Sequence, residues 1–215
     1  MNRKLVLFAT AAIALAAPAI AQLTAPATAP VVRPAGGTLD VSKIVAGTYA
    51  VDTNHTQVGW EANHLGFNNY SGIFGGATGS LTIDPANPSA ASVSIDIPLS
   101  AVATTRQGLT DHLMKADFFD VVNTPIATFR STGVTIDGTK AKIAGNLTLR
   151  GVTKPIVLDA HLTGAGSNPM NKKSTIGFEG TAVVKRSDFG IMYGLPGVGD
   201  MVELRISAAF DKPAA

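Results

Sequence analysis

Three observations predict an all-β domain, an antiparallel sandwich or barrel. From Gly47 onward, apolar residues recur at every second position in one short segment after another. Turn signals separate those segments at short intervals. A single stretch, "RQGLTDHLMKADFFDV" from Arg106 to Val121, breaks the alternation and reads as helix or tight turn. Many short strands joined by hairpin turns argue a sandwich or barrel.

The elements follow in order. "QVGWEANHL" places Val58, Trp60, Ala62 and His64 on one face. "SVSIDI" sets Val93, Ile95 and Ile97 against Ser92, Ser94 and Asp96. "KIAGNLTLRG" aligns Ile143, Gly145, Leu147 and Leu149, and "PIVLDAHL" aligns Ile156, Leu158, Ala160 and Leu162. "TIGFEGTAVV" aligns Ile176, Phe178, Gly180, Ala182 and Val184, and "MVELRISAAF" aligns Val202, Leu204, Ile206, Ala208 and Phe210. Asp137-Gly138 is a tight hairpin signal, Pro85, Asn87 and Pro88 mark a turn, and "GAGSNPMNKKS" is a longer loop. Glycine on the apolar face, at Gly145 and Gly180, suits sharp bends or close approach and leaves room for a cavity. In the exceptional stretch, Leu109 and Leu113 lie four apart on one face of a short helix. Thr104 or Thr105 is placed to cap it, and Phe118-Phe119 follow directly.

The N-terminus is set aside from the fold. Arg3 and Lys4 precede an apolar run from Leu5, which ends in Ala19-Ile20-Ala21. That order predicts a secretory signal peptide over residues 1–21, cleaved near Ala21. The run is short for a membrane anchor and Pro18 interrupts its end. Residues 22–46 are rich in Ala, Pro and Thr and are read as a flexible leader, with the domain over 47–212.

Removing the signal changes the charge reading. The chain has 17 basic and 15 acidic residues, and losing Arg3 and Lys4 leaves fifteen of each. Nothing suggests a nucleic-acid partner or a polybasic membrane anchor. There is no cysteine, so disulfides, thiolate metal sites and cysteine catalysis are excluded. About 195 residues remain, enough for one domain with a sizeable core.

Catalytic patterns are thin. His55, His64, His112 and His161 include no pair at helical i, i+4 spacing and no HExxH motif, so no metal site is expected. No G-x-S-x-G elbow is present, and Asp111 and His112, as helix neighbours, point about 100° apart. Glu61, Glu179 and Glu203 alternate with apolar residues and are expected on the solvent face. His64 shares its face with Trp60 and is expected to point inward as a hydrogen-bonded histidine. "LPGVGD" lacks the lysine and helix of a phosphate loop and is read as a mobile loop, with Met192, Tyr193 and Leu195 either lining an entrance or simply packing the loop. Phe67, Phe74, Leu109, Leu113, Phe118, Phe119 and Phe129 form either a plain core beneath a cap or a tunnel wall.

At several ordered motifs the chain resembles the YceI-like family of polyisoprenoid-binding, lipocalin-like proteins. These are "YAVDTNHTQVGW" from Tyr49, "HLGFNNYSGIFG" from His64, "DHLMKADFFDVVNTPIATFRS" from Asp111, "GNLTLRGVTKPI" from Gly145 and "KRSDFGI" from Lys185. The resemblance implies an eight-stranded antiparallel barrel with a helical segment at its mouth, exported to the periplasm. It implies a long isoprenoid lipid as ligand, a quinone or prenyl phosphate, with no catalytic residues and no cofactor. Trp60, His64, Phe67, Phe74, Leu109, His112, Leu113, Phe118, Phe119 and Phe129 then become the lipid-contact candidates. Transient membrane contact and a homodimer are further expectations. The family often carries an arginine and an acidic residue shortly before its His-Leu pair; here Leu109 and Thr110 stand there, with Arg106 upstream and Asp111 adjacent. The alternatives are an enzyme acting on a lipid inside the barrel through His64 or His112, and a ligand-free, stress-related structural protein.

Overall fold

A computed structural model describes residues 36–213. The expected signal peptide and the first part of the expected leader lie outside the described residues. Residues 36–46, composed like leader, lie along the barrel wall: Thr38 exchanges two backbone hydrogen bonds with Ala165, and Gly37 packs on Gly164.

The sheet is a closed up-and-down barrel of eight antiparallel staves. Three staves are broken in two. The first is β1 (Gly47–Val51) and β2 (Gln57–His64); the second is β3 (Asn68–Phe74) and β4 (Thr78–Ile83). The third is β5 (Ser92–Pro98) and β6 (Val102–Ala103). A short helix, α1 (Gln107–Leu113), follows. The remaining staves are β7 (Ile126–Asp137), β8 (Lys140–Leu149), β9 (Val152–Ser167), β10 (Ser174–Lys185) and β11 (Val198–Asp211). The ring closes where Ala50 and Val51 pair with Asp211 and Phe210. Closure leaves no long sheet edge unpaired.

The three breaks sit side by side, because Phe74 pairs with both Val58 and Val102. Side chains repair the missing ladder there. Thr56 Oγ1 donates to Ala209 O and accepts from Ala209 N–H, so no backbone group of that residue is stranded. Beyond the Pro98–Ile126 pair the third and fourth staves part, and β6 pairs with β3 alone. The parted edge is met by α1: Thr110 Oγ1 accepts the Thr104 N–H at 3.1 Å.

Alternation sends one set of residues inward on every stave. Tyr49, Leu81, Ile83, Leu162, Ile176 and Phe210 close the end opposite α1. Tyr49 is fully buried, and its hydroxyl donates to Val45 O at 2.6 Å. Each such side chain contributes about 1.5–3 kcal/mol on burial. Phe74, Leu99, Val102, Leu113 and Ala127 form a second cluster at the α1 end. Glycine permits close approach at two points: Phe129 lies on Gly145, and the Trp60 indole lies on Gly72, where a Cβ would stand 2.5 Å from Cζ2.

Candidate functional site

Between the two end clusters lies a cavity of about 160 Å³. Val93, Ile95, Val134, Ile143, Leu158 and Ile206 supply much of its wall, and Ala141, Ala160, Gly180 and Ala208 supply the places where bulk is missing. The alternating pattern produces this wall directly, since residues two apart share a face. Glu179 borders the cavity in sequence but turns its carboxylate outward to His161 at 3.3 Å.

The α1 end is built from the stretch that broke the strand pattern. Leu109 and Leu113, one turn apart, face the barrel; Leu113 is buried and Leu109 half-buried. The helix starts one or two residues later than a Thr105 or Thr104 cap predicts. Arg106 holds the N-cap position without a side-chain cap bond, while Thr104 Oγ1 bonds the backbone N–H and C=O of Arg106. The chain then turns at 115–121, where Phe118 N–H and Asp120 N–H both reach Lys115 O. That turn drops Phe119 onto Phe74, ring centres 5.1 Å apart at 70°. Phe118 stands edge-on to His112 at 5.0 Å, and Tyr193 completes the group at 4.9 Å from His112 and 5.3 Å from Phe118. Edge-to-face geometry suits the ring quadrupoles.

The candidate residues therefore divide. Trp60, Phe74, Leu109, Leu113, Phe118 and Phe119 converge in one cluster at the α1 end, and Phe129 lines the cavity itself. His112 sits on the outer side of that cluster, half-buried, with Nε2 4.0 Å from Asp117. Two placements are corrected. His64 does not point into the interior: it is exposed at the very end of β2. Phe67 is 88% exposed on the hairpin between β2 and β3. The reason is depth: the alternation of β2 continues to its last residue, past the point where opposing strands cover it.

Two arginines matter that the pattern analysis passed over. Arg186 follows β10 and is buried, yet four of its N–H groups have partners. Nε donates to Gly199 O at 2.8 Å, and Nη1 donates to Ile191 O at 3.1 Å and Tyr193 O at 2.9 Å. Nη2 donates to Val198 O at 2.9 Å. The Gly-rich loop between β10 and β11 is thus stapled from beneath, not loose. Burial pulls the Arg186 pKa below its ordinary value, and the nearby Asp200 pushes the other way. Asp200 accepts from Ser187 N–H at 2.9 Å and Ser187 Oγ at 2.8 Å. Burial opposes its charged form, but these bonds, then Lys185 and Arg186, outweigh burial and hold its carboxyl below the usual range. Arg150, with φ +51° between β8 and β9, donates to the carbonyls of Ala116 and Phe118 and ties the aromatic turn to the wall. Its position inside "GNLTLRG" was the available signal.

One polar atom stands out among the described residues. The Trp60 Nε1 is buried without a hydrogen-bond partner. Buried donors are usually paired, so an orphan in an apolar setting is a place for an acceptor.

The barrel and its sequence match known proteins. Residues 49–210 match the family described as the YceI-like domain. Protein YceI of Salmonella arizonae is 40% identical over 165 residues, covering 76% of this chain and 86% of its own. BcnA of Burkholderia cenocepacia shares the fold with TM-score 0.66 at 22% identity, covering 74% of this chain and 98% of its own. A polyisoprenoid binding domain from Saccharophagus degradans, implicated in plant cell wall breakdown, shares it at TM-score 0.60 and 14% identity, covering 77% and 98%. With more than half of its length inside the family match and the motifs at their places on the barrel, the chain belongs to the YceI-like family.

Proposed function

We propose that this protein binds a long-chain isoprenoid lipid, a quinone or prenyl phosphate, and carries or stores it without chemistry. The observation that carries the reading is a closed barrel around a cavity whose wall is apolar from end to end. Membership of the YceI-like family supports it, as does the polyisoprenoid binding described for the Saccharophagus domain. On this reading the work is done in the periplasm, after the export that the N-terminal sequence leads one to expect. Transient contact with a membrane and a homodimer go with the reading as expectations.

Burial of a prenyl chain yields about 0.8 kcal/mol per CH₂-sized group. A bilayer offers the same gain, so the barrel has only to match lipid. The cavity, about 160 Å³ in this state, is smaller than the roughly 300–1,000 Å³ of common ligand sites. Binding on this reading enlarges it by moving side chains at the α1 end, where Leu109, Phe118 and Phe119 are only half-buried. Trp60 does not line the cavity as it stands, but once the α1 end opens its unpartnered N–H would favour a cargo with an oxygen acceptor over a plain hydrocarbon.

The enzyme alternative relied on His64 or His112 inside the barrel, and both sit outside the cavity. The filled-core alternative runs against the cavity itself. The test is mass spectrometry of organic extracts from gently purified protein, followed by titration with a prenyl quinone. A stoichiometric isoprenoid, recovered unchanged, is expected. No extracted lipid together with no quinone binding would sink the reading.

A further inference from the structure

The loops at the α1 end hold large apolar side chains out of the protein. On the β2–β3 hairpin, Phe67 is 88% exposed and Leu65 about half exposed. On the connection from α1 to β7, Val122 is also 88% exposed. On the β10–β11 loop, Met192 and Tyr193 are more than half exposed. Leu39, Val41, Val45 and Met170 are exposed away from this end, so exposure alone does not mark it; what does is that these side chains stand on loops bonded to one another.

The loops form one rim. Leu65 N–H donates to Gly197 O at 2.9 Å, joining the hairpin to the β10–β11 loop. Tyr193 packs on His112 and Phe118, joining that loop to α1 and its turn.

The exposed positions are also fixed rather than frayed. Leu65 (φ +56°) and Gly66 (φ +75°) are the central residues of the His64–Phe67 turn within the three-residue loop of the hairpin. Phe67 N–H donates to His64 O, and Gly66 N–H donates to Asn63 Oδ1 at 2.8 Å. Leucine is a poor choice for a left-handed turn position and a poor choice for solvent, so two local preferences are overridden at one residue. Val122 is held out by a second such turn at Asp120 (φ +50°), whose carbonyl accepts from Asn123 N–H and Thr124 N–H.

Charge identifies the surface that fits. Arg106, Lys115 and Arg150 share this end with Asp111, Asp117 and Asp120. A balanced rim gains little from an anionic partner. Protruding tips from separate loops, mixed with a tyrosine, suit a soft apolar–polar boundary better than a rigid partner. We infer that this rim is a membrane-docking edge, in which Leu65, Phe67, Val122, Met192 and Tyr193 enter the interfacial zone of a lipid bilayer through apolar contact. The choice of a bilayer over a second copy of the chain rests partly on the carrier reading, since a water-insoluble cargo is exchanged with a lipid phase.

Flotation with vesicles tests the inference without any cargo. The full exported chain is expected to float with phosphatidylcholine vesicles, and equally with vesicles containing phosphatidylglycerol, at low and high salt. Phe67→Ser lowers the partition coefficient by about tenfold, and Phe67→Ser with Met192→Ser lowers it further, while the melting curve is unchanged. Wild type that does not float, that floats only with anionic vesicles in a salt-sensitive way, or that floats no better than the serine variants overturns the inference. So does concentration-dependent self-association that the same variants abolish, which would make a second copy the occupant. Binding of prenyl quinone delivered from detergent is measured in parallel. Vesicle binding without quinone binding removes the carrier reading and leaves the docking edge; the reverse removes the edge alone.

Discussion

Replacing Arg186 with methionine removes a buried cation from beneath the β10–β11 loop. Four donor bonds disappear, to Gly199, Ile191, Tyr193 and Val198 carbonyls at 2.8–3.1 Å. Hydrogen bonds from a charged group contribute about 1.5–3 kcal/mol each, so the gross loss is about 6–12 kcal/mol. The loop lies at a barrel end and its carbonyls reach water by local opening. Removing the desolvation cost of the guanidinium offsets a further part. The net cost is then about 3–5 kcal/mol, a fall in Tm of about 6–20 °C for a domain of this size. Hydrogen exchange locates the damage. The amides of Ile191, Leu195 and Val198, bonded to Arg186 O, Met192 O and Gly194 O, are expected to lose roughly a hundredfold in protection while β8 and β9 amides keep theirs. A variant with an unchanged Tm and intact protection at these amides would refute the staple.

Ala160→Phe places a ring in the cavity; prenyl-quinone binding should fall at least tenfold in a fluorescence titration, while overpacking costs about 1–3 kcal/mol in chemical denaturation. Trp60→Phe keeps the ring and removes the unpartnered donor, so affinity for an oxygen-bearing prenyl ligand should drop by about two- to tenfold, with little change for a prenyl hydrocarbon of equal length. Asp200, held below the ordinary carboxylate range, contributes stability that is present above its unfolded pKa of about 3.9 and is lost as pH falls through its folded value. The melting temperature of wild type should therefore fall more steeply below about pH 4 than that of Asp200→Asn, measured across an acid series. Arg150→Met frees the carbonyls of Ala116 and Phe118; stopped-flow uptake of a fluorescent prenyl probe should speed up, and unchanged kinetics would show that Arg150 does not restrain the turn.

How far the sequence revealed this arrangement depended on the kind of signal. Period-two alternation reports which face a residue takes, and the inward sets of β8 to β11 stand as the pattern predicts. It does not report depth along the barrel axis. His64 has the right parity and the wrong height, since its pairing with Val198 lies beyond the irregularity that follows Ala62–Val202. The spacing of Leu109 and Leu113 gave the helix and its face, because i, i+4 is a local rule. The helix start was missed because the Thr104 hydroxyl bonds the Arg106 backbone instead of capping a helical N–H. Arg186 left no periodic trace: its partners are backbone carbonyls, which every sequence supplies. The three stave breaks escaped for a related reason, as the Thr56 hydroxyl substitutes for ladder bonds that only the pairing register shows to be missing.

If the barrel carries a lipid as proposed, it must open to admit it, and the cost of opening differs around its wall. From β7 to β11 the staves are joined by long ladders, so parting them breaks many backbone bonds at once. Above the Pro98–Ile126 pair there is no ladder to break, and α1 fills the space with side chains. Seven residues are too few to hold a helix by themselves, so α1 owes its position to packing. Lifting it into water would expose buried Leu113 and the half-buried Leu109, Phe118 and Phe119, at about 4–8 kcal/mol if full burial is worth about 1.5–3 kcal/mol and half-burial half of that. Lifting it against a bilayer transfers the same side chains between two apolar surroundings, and most of that cost vanishes. The apolar rim occupies this end of the barrel, and among the described residues the β5–β7 seam has fewer paired positions than any other seam between staves of the wall. On the proposed carrier and docking readings, docking and opening would be one event: the membrane would supply the cargo and also solvate the helix that moves to admit it.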